Sequence, residues 1–109
     1  MGVVVRRFDV FLVNLDPTVG SEIKKTWPCL IVSPDEMNRA IRTVIVAPMT
    51  SQGRAYPTRI PCVFGGREGL ILLDQLGTID KQRLVRKLGR LDDATSKLVG
   101  NGLVELFTP

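Results

Sequence analysis

The apolar runs of this chain are short and rich in β-branched or aromatic residues, and turn formers close each of them. Residues 8–15 read F-D-V-F-L-V-N-L, residues 29–32 C-L-I-V and residues 42–49 R-T-V-I-V-A-P-M. Residues 58–64 read T-R-I-P-C-V-F and residues 70–74 L-I-L-L-D. Such runs predict strands, because side chains branched at Cβ fit a pleated, half-buried surface better than a helix. The nearly continuous apolar character of residues 70–74 predicts a strand covered on both faces. Pro57 and Pro61 predict that the strand over 58–64 is an edge or carries a bulge, since proline brings no N–H to a ladder. At 109 residues and 44% hydrophobic, the chain can build one core but not two, which predicts a single domain over residues 1–109.

Helical signals are fewer. Ser33-Pro34-Asp35-Glu36 reads as a helix start, with Ser as N-cap, Pro at the first helical position and Glu three after the cap. It predicts a helix of one or two turns through Asn38 or Arg39. Over residues 80–88 the apolar positions Leu84, Val85 and Leu88 are spaced like a helix, which Gly89 would end. On that reading Lys81, Arg83, Arg86, Lys87 and Arg90 form either a solvated helix face or a phosphate track. Asp92 can cap a last helix in which Ala94, Leu98, Leu103 and Leu106 share a face. Gly100 and Gly102 weaken it by about 1 kcal/mol each relative to Ala, so tertiary packing must hold it. The fold expected is mainly β with α: a small, strongly bent sheet or barrel with a short inserted helix and a C-terminal helix.

Composition narrows the chemistry. The chain has no histidine, which removes Ser-His and Cys-His triads and the usual imidazole acid or base. Its two cysteines, Cys29 and Cys62, lie inside expected strands and read as buried free thiols, so neither a disulfide nor a zinc site is expected. No cofactor is expected. Net charge is +4 and the isoelectric point is about 9.5, which is compatible with a nucleic-acid partner. No run approaches a membrane span, the N-terminus lacks the order of a signal peptide, and Arg6 stands where a myristoylation signal needs Ser or Thr. A cytoplasmic protein without membrane contact is expected.

Between the first two strands, residues 15–28 read L-D-P-T-V-G-S-E-I-K-K-T-W-P. So long a polar loop between core strands points to function. Its carboxylates, lysines, hydroxyls and single Trp suit an anionic, base-bearing partner.

The order D-P-T-x-G-S-E, five further residues, P, a hydrophobic strand, S-P-D-x-x-N-R, V-I-V-A-P-M-T-S, L-L-D-Q and T-I-D-K-Q-R-L resembles the MazF/PemK family, from about Arg7 to about Leu106. These are the toxin halves of bacterial toxin–antitoxin pairs. The resemblance implies an SH3-like barrel, a homodimer, and sequence-specific cleavage of single-stranded RNA, usually mRNA. It implies that no metal is needed and that the products carry a 2′,3′-cyclic phosphate and a 5′-hydroxyl. It also implies a MazE-like antitoxin that lays an acidic C-terminal tail over the dimer.

On the matching positions, Thr50 corresponds to the catalytic threonine that donates to the scissile phosphate; alone, it would be a strand-end hydroxyl capping its own backbone. Ser21 and Glu22 match loop positions that meet RNA, and Lys24, Lys25, Ser51 and Arg54 bring charge and hydroxyls to the same region. Asp74 matches an aspartate used by some members in acid–base work, and Gln75 can read a base edge; tying the strand end to the loop is the competing role for this pair.

Three positions depart from the family. Trp27 stands where members carry the main catalytic Arg, just before the proline of the second strand. Gly77 stands where many have Arg, and Leu72 where one branch has a catalytic Arg. Trp can stack on a base but can neither hold positive charge nor donate five hydrogen bonds. A weakened or inactive nuclease is therefore expected. Either Trp27 disables the site, or the site is rearranged around Lys25 or Arg54. A catalytically inactive paralogue that binds RNA or antitoxin is the alternative. A gyrase-poisoning toxin is a third, disfavoured by the G-S-E and P-M-T-S blocks.

Overall fold

The computed structural model describes residues 4–15 and 25–109. Its strands are β1 (Asp9–Asn14), β2 (Thr26–Ile31), β3 (Thr43–Thr50), β4 (Arg59–Phe64), β5 (Arg67–Leu72), β6 (Gly77–Asp80) and β7 (Leu84–Arg90). The helices are α1 (Asp35–Ala40) and α2 (Asp93–Phe107). The sheet runs β4-β5-β3-β2-β1-β7, with β6 paired to the first half of β3. All pairings are antiparallel.

The sheet curls into a half-barrel. Its two ends meet through side chains: a Cβ on Gly89 of β7 would lie 3.2 Å from the Phe64 ring of β4. Gly89 has φ +155°, a conformation open to glycine, and its bare backbone lets the aromatic ring close the curl.

Alternation along β1–β3 explains why their sequences are apolar without interruption. Val10, Leu30, Ala47 and Met49 enter one buried cluster, with Ile60, Cys62, Ile71, Leu73 and Val99. Phe11, Val13, Cys29, Ile31, Val44 and Val46 enter a second, with Ile79 and Leu84. These three strands are thus covered on both faces. The run over 70–74 ends its strand at Leu72 and passes into a 3-10 turn, Leu73–Gln75. Pro61 lies on β4, which is an edge strand, as its missing N–H requires. Cys29 and Cys62 are free, buried thiols.

Where a helix is expected over residues 80–88, Asp80 ends β6, Lys81–Arg83 forms a single 3-10 turn, and the chain continues as strand β7 from Leu84. The pairing of β7 with β1 shifts register twice, between Val10 and Phe11 and between Leu12 and Val13. Each shift inserts an extra residue, and this breaks the two-residue alternation into a helix-like spacing. The basic run is accordingly not a helix face. Lys87 and Arg90 both engage buried Asp9, and the Lys81 ammonium donates to the Asn38 carbonyl.

Two smaller corrections concern the helices. Pro34, not Ser33, is the N-cap of α1, and no side chain caps it. Ser33 is buried; its hydroxyl donates to Asn38 Oδ1 at 2.5 Å and accepts from the Ile45 N–H at 3.0 Å. Asp92 does cap α2, accepting from the Thr95 N–H at 3.0 Å. However, α2 packs through Ser96, Val99, Leu103 and Leu106, while Ala94 and Leu98 face outward.

Candidate functional site

The polar stretch before β2 is shorter than its composition suggests. β2 begins at Thr26, so Thr26 and Trp27 sit in the ladder opposite Asn14 and Val13. The Lys25 carbonyl accepts the Leu15 N–H at 3.0 Å, and the Lys25 side chain is exposed. Ser21, Glu22 and Lys24 lie outside the described residues.

Register brings Trp27 and Thr50 together. Cys29 pairs with Pro48 and Leu30 with Ala47, so Trp27 stands level with Thr50, beyond the last paired residues. Thr50 pairs in turn with Leu70, and Leu70 with Pro61. Met49, Ile71, Ile60 and Cys62 point into the first cluster. By alternation Thr50, Leu70, Pro61 and Arg59 therefore point to the opposite face, on the side of Trp27. Along this row Trp27 and Pro61 are exposed, and Thr50, Leu70 and Arg59 are half-buried. Trp27 is 42% exposed on it.

Thr50 is half-buried at the end of β3. Its Oγ1 accepts the Gln52 N–H at 3.1 Å, so the backbone-capping contact is made. That bond uses a lone pair and leaves the hydroxyl proton available for donation. The Thr50 carbonyl rests on Gly69, where a Cβ would lie 2.8 Å from the oxygen. Gly69→Ala is expected to force β5 off β3 at Thr50 and to destabilise the protein by about 1–3 kcal/mol. An unchanged urea midpoint would show that the strands separate freely there.

Residues 51–57 are all exposed, among them Ser51 and Arg54. Ser51 also lines, with Thr50, a hollow of about 260 Å³ between Pro28, Cys62, Phe64 and Leu88. Asp74 and Gln75 lie in the 3-10 turn after β5, both exposed.

Asp74 is tied down. Arg59 Nε donates to its Oδ1 at 3.3 Å, an Arg59 terminal nitrogen to its Oδ2 at 3.4 Å, and the Thr58 hydroxyl to Oδ1 at 3.4 Å. Chiefly through Arg59, its carboxyl is held below the usual carboxylate range. At neutral pH it is an anion that orients a guanidinium. Arg59 was not apparent as a site residue from sequence, because only the β4–β5 register brings it to Asp74.

Burial pushes the Cys29 thiol up to about 12, and burial, aided by Asp92, raises Cys62. Neither is a ready nucleophile. Among the described residues no three Cys, Asp or Glu side chains are grouped as metal ligands.

Residues 6–107 match the family of PemK-like, MazF-like toxins of type II toxin–antitoxin systems. The chain is 40% identical over 106 residues to endoribonuclease EndoA of Bacillus subtilis, covering 92% of this chain and 91% of the relative. It is 37% identical over 107 residues to endoribonuclease MazF of Staphylococcus saprophyticus, covering 91% and 88%. Among solved structures, a mycobacterial endoribonuclease in complex with its cognate antitoxin superposes with a TM-score of 0.82 at 25% identity, over 96% of this chain and 97% of that one. MazF of Deinococcus radiodurans shares the fold, with a TM-score of 0.77 at 24% identity over 95% and 96%. The curled half-barrel with a C-terminal helix is therefore that of a MazF-type toxin. The chain belongs to the PemK/MazF family of type II toxin–antitoxin toxins.

Proposed function

We propose that this protein is a toxin ribonuclease that cuts single-stranded RNA without a metal ion, by attack of the neighbouring 2′-hydroxyl, and that Trp27 weakens it. The observation that carries the reading is the juxtaposition of positions 27 and 50 on one face of the sheet. In the family these positions hold the catalytic Arg and Thr. Displacement by the 2′-hydroxyl needs a proton acceptor, a proton donor for the leaving 5′-oxygen, and donors around the crowded phosphorane. Thr50 offers one such donor, its oxygen already fixed by the Gln52 N–H. The relatives named endoribonuclease support the activity. The structure solved with its cognate antitoxin supports an antitoxin partner for this chain. A homodimer in the cytoplasm and an acidic, partly disordered antitoxin tail belong to the same reading. No helix among the described residues is long and apolar enough to cross a membrane.

The test is incubation of long single-stranded RNA with excess protein in EDTA. Slow cleavage to 2′,3′-cyclic phosphate and 5′-hydroxyl ends is expected. It should fall by roughly a hundredfold or more in Thr50→Val, which keeps the shape and removes the donor. Cleavage that requires added magnesium, or that leaves 3′-hydroxyl ends, would refute the chemistry. The exposed Trp27 ring supports a second reading, a binding module that holds RNA by stacking and does not cut it. It predicts RNA binding with no cleavage at any protein concentration.

A further inference from the structure

The loop over residues 51–57 carries an aromatic ring that the mechanism does not use. Tyr56 is 55% exposed, and the Arg59 guanidinium carbon lies 4.9 Å from its ring centroid. Arg59 is itself fixed by its two contacts to Asp74, and one of its terminal nitrogens lies 3.6 Å from where a Gly53 Cβ would be. The Arg59 N–H also donates to the Tyr56 carbonyl at 2.9 Å. One carboxylate thus orients a guanidinium, which in turn orients a phenol ring, at the rim of the face that carries Thr50 and Trp27. Residues 51–57 contain Arg54 and no acidic side chain, so the surroundings suit an anionic chain. Strand spacing puts Arg59 about 12 Å from Thr50, two strands across and two residues along.

We infer that Tyr56 is a stacking subsite for an unpaired nucleobase flanking the cleaved bond, with Arg59 and Asp74 as its positioning residues. The inference rests on the ribonuclease reading. The cation covers one side of the ring, and a base on the other side completes a stack that tolerates any base, since each has a π-face. Ordering the ring before RNA arrives reduces the entropy lost on binding.

The test is the affinity of the wild-type chain and its variants for a fluorescein-labelled, 2′-O-methylated single-stranded RNA, which has no free 2′-hydroxyl and stays intact. Tyr56→Ala should weaken binding by roughly five- to a hundredfold, while Tyr56→Phe binds like the wild type. The slope of affinity against salt should stay the same in Tyr56→Ala and in Arg59→Gln, because neither side chain would be neutralising a phosphate. Arg59→Gln should nevertheless weaken binding, through the ring it orients. If Tyr56→Ala binds like the wild type, or Tyr56→Phe loses as much as Tyr56→Ala, the subsite is refuted while the ribonuclease reading stands. If the wild type does not bind this RNA at all, both fall together.

Discussion

Trp27→Arg is expected to raise RNA cleavage by roughly a hundred- to a thousandfold over the chain as it stands. A preorganised donor aimed at charge that develops in the transition state is worth about 3–4 kcal/mol, and each 1.4 kcal/mol is a factor of ten in rate. Position 27 is well placed to supply one. It lies in the ladder opposite Val13, level with Thr50, so a guanidinium there would leave a fixed backbone. Base stacking by the indole is worth about 1–3 kcal/mol. That energy acts on bound substrate and transition state alike, so it helps binding more than rate.

The same variant separates the competing readings. Trp27 is 42% exposed, so more than half of the indole is covered. The aliphatic stem of an arginine can cover part of that surface, and the rates are compared at a temperature where the urea midpoints show both proteins fully folded. Any gain in cleavage then comes from chemistry and not from folding. If the wild type already cuts as fast as the variant, the site has been rearranged. Lys25→Ala or Arg54→Ala should then abolish activity. If neither protein cuts but both bind RNA, the chain is a binding module.

Much of the fold was legible because β-branched runs closed by turn formers have few other uses. The five strand expectations each fall on an observed strand, with ends displaced by a few residues. β7 was hidden by its own irregularity: two register shifts turned a strand pattern into one of nearly helical spacing. β6, Gly77–Asp80, is too short for periodicity to register and exists because β3 offers it an edge. On α2, the cap at Asp92 could be read locally. The buried face could not, because Leu98 and Val99 are both apolar and only the position of the sheet decides which turns inward.

The site was legible where motif order carries it and illegible where register does. Thr50 and the anomaly at Trp27 are visible in the string of residues. That they stand level on one face follows only once β2 and β3 are paired. The contact between Arg59 and Asp74 spans fifteen residues and joins two segments whose sequences show no sign of each other. An arginine near the start of an edge strand reads as solvated until a carboxylate is found across the hairpin.

Asp9→Ala should destabilise the protein by about 2–3 kcal/mol, the largest stability change expected from a single polar side chain here. Asp9 is fully buried. Its Oδ1 accepts from Arg90 at 2.8 Å and lies 3.3 Å from the Lys87 ammonium, while Oδ2 accepts the Arg6 N–H at 2.9 Å. One carboxylate therefore joins β1 to β7 and closes the turn that precedes β1. Within that turn Phe8 has φ +72°, a left-handed conformation unfavourable to a bulky residue. It is held there because its N–H donates to the Ile31 carbonyl and its own carbonyl accepts from Leu91. Removing a partner from a fully buried ion pair costs about 3–5 kcal/mol. The figure is lower here because the Lys87 and Arg90 side chains are 43% and 45% exposed and can return to water. With an m-value of about 1–2 kcal/mol/M, the urea midpoint should fall by about 1–3 M. Asp9→Asn keeps the acceptor for Arg6 and should lose less. If the alanine variant melts with the wild type, β7 is held by its backbone ladder alone, and Asp9 does not fix the turn.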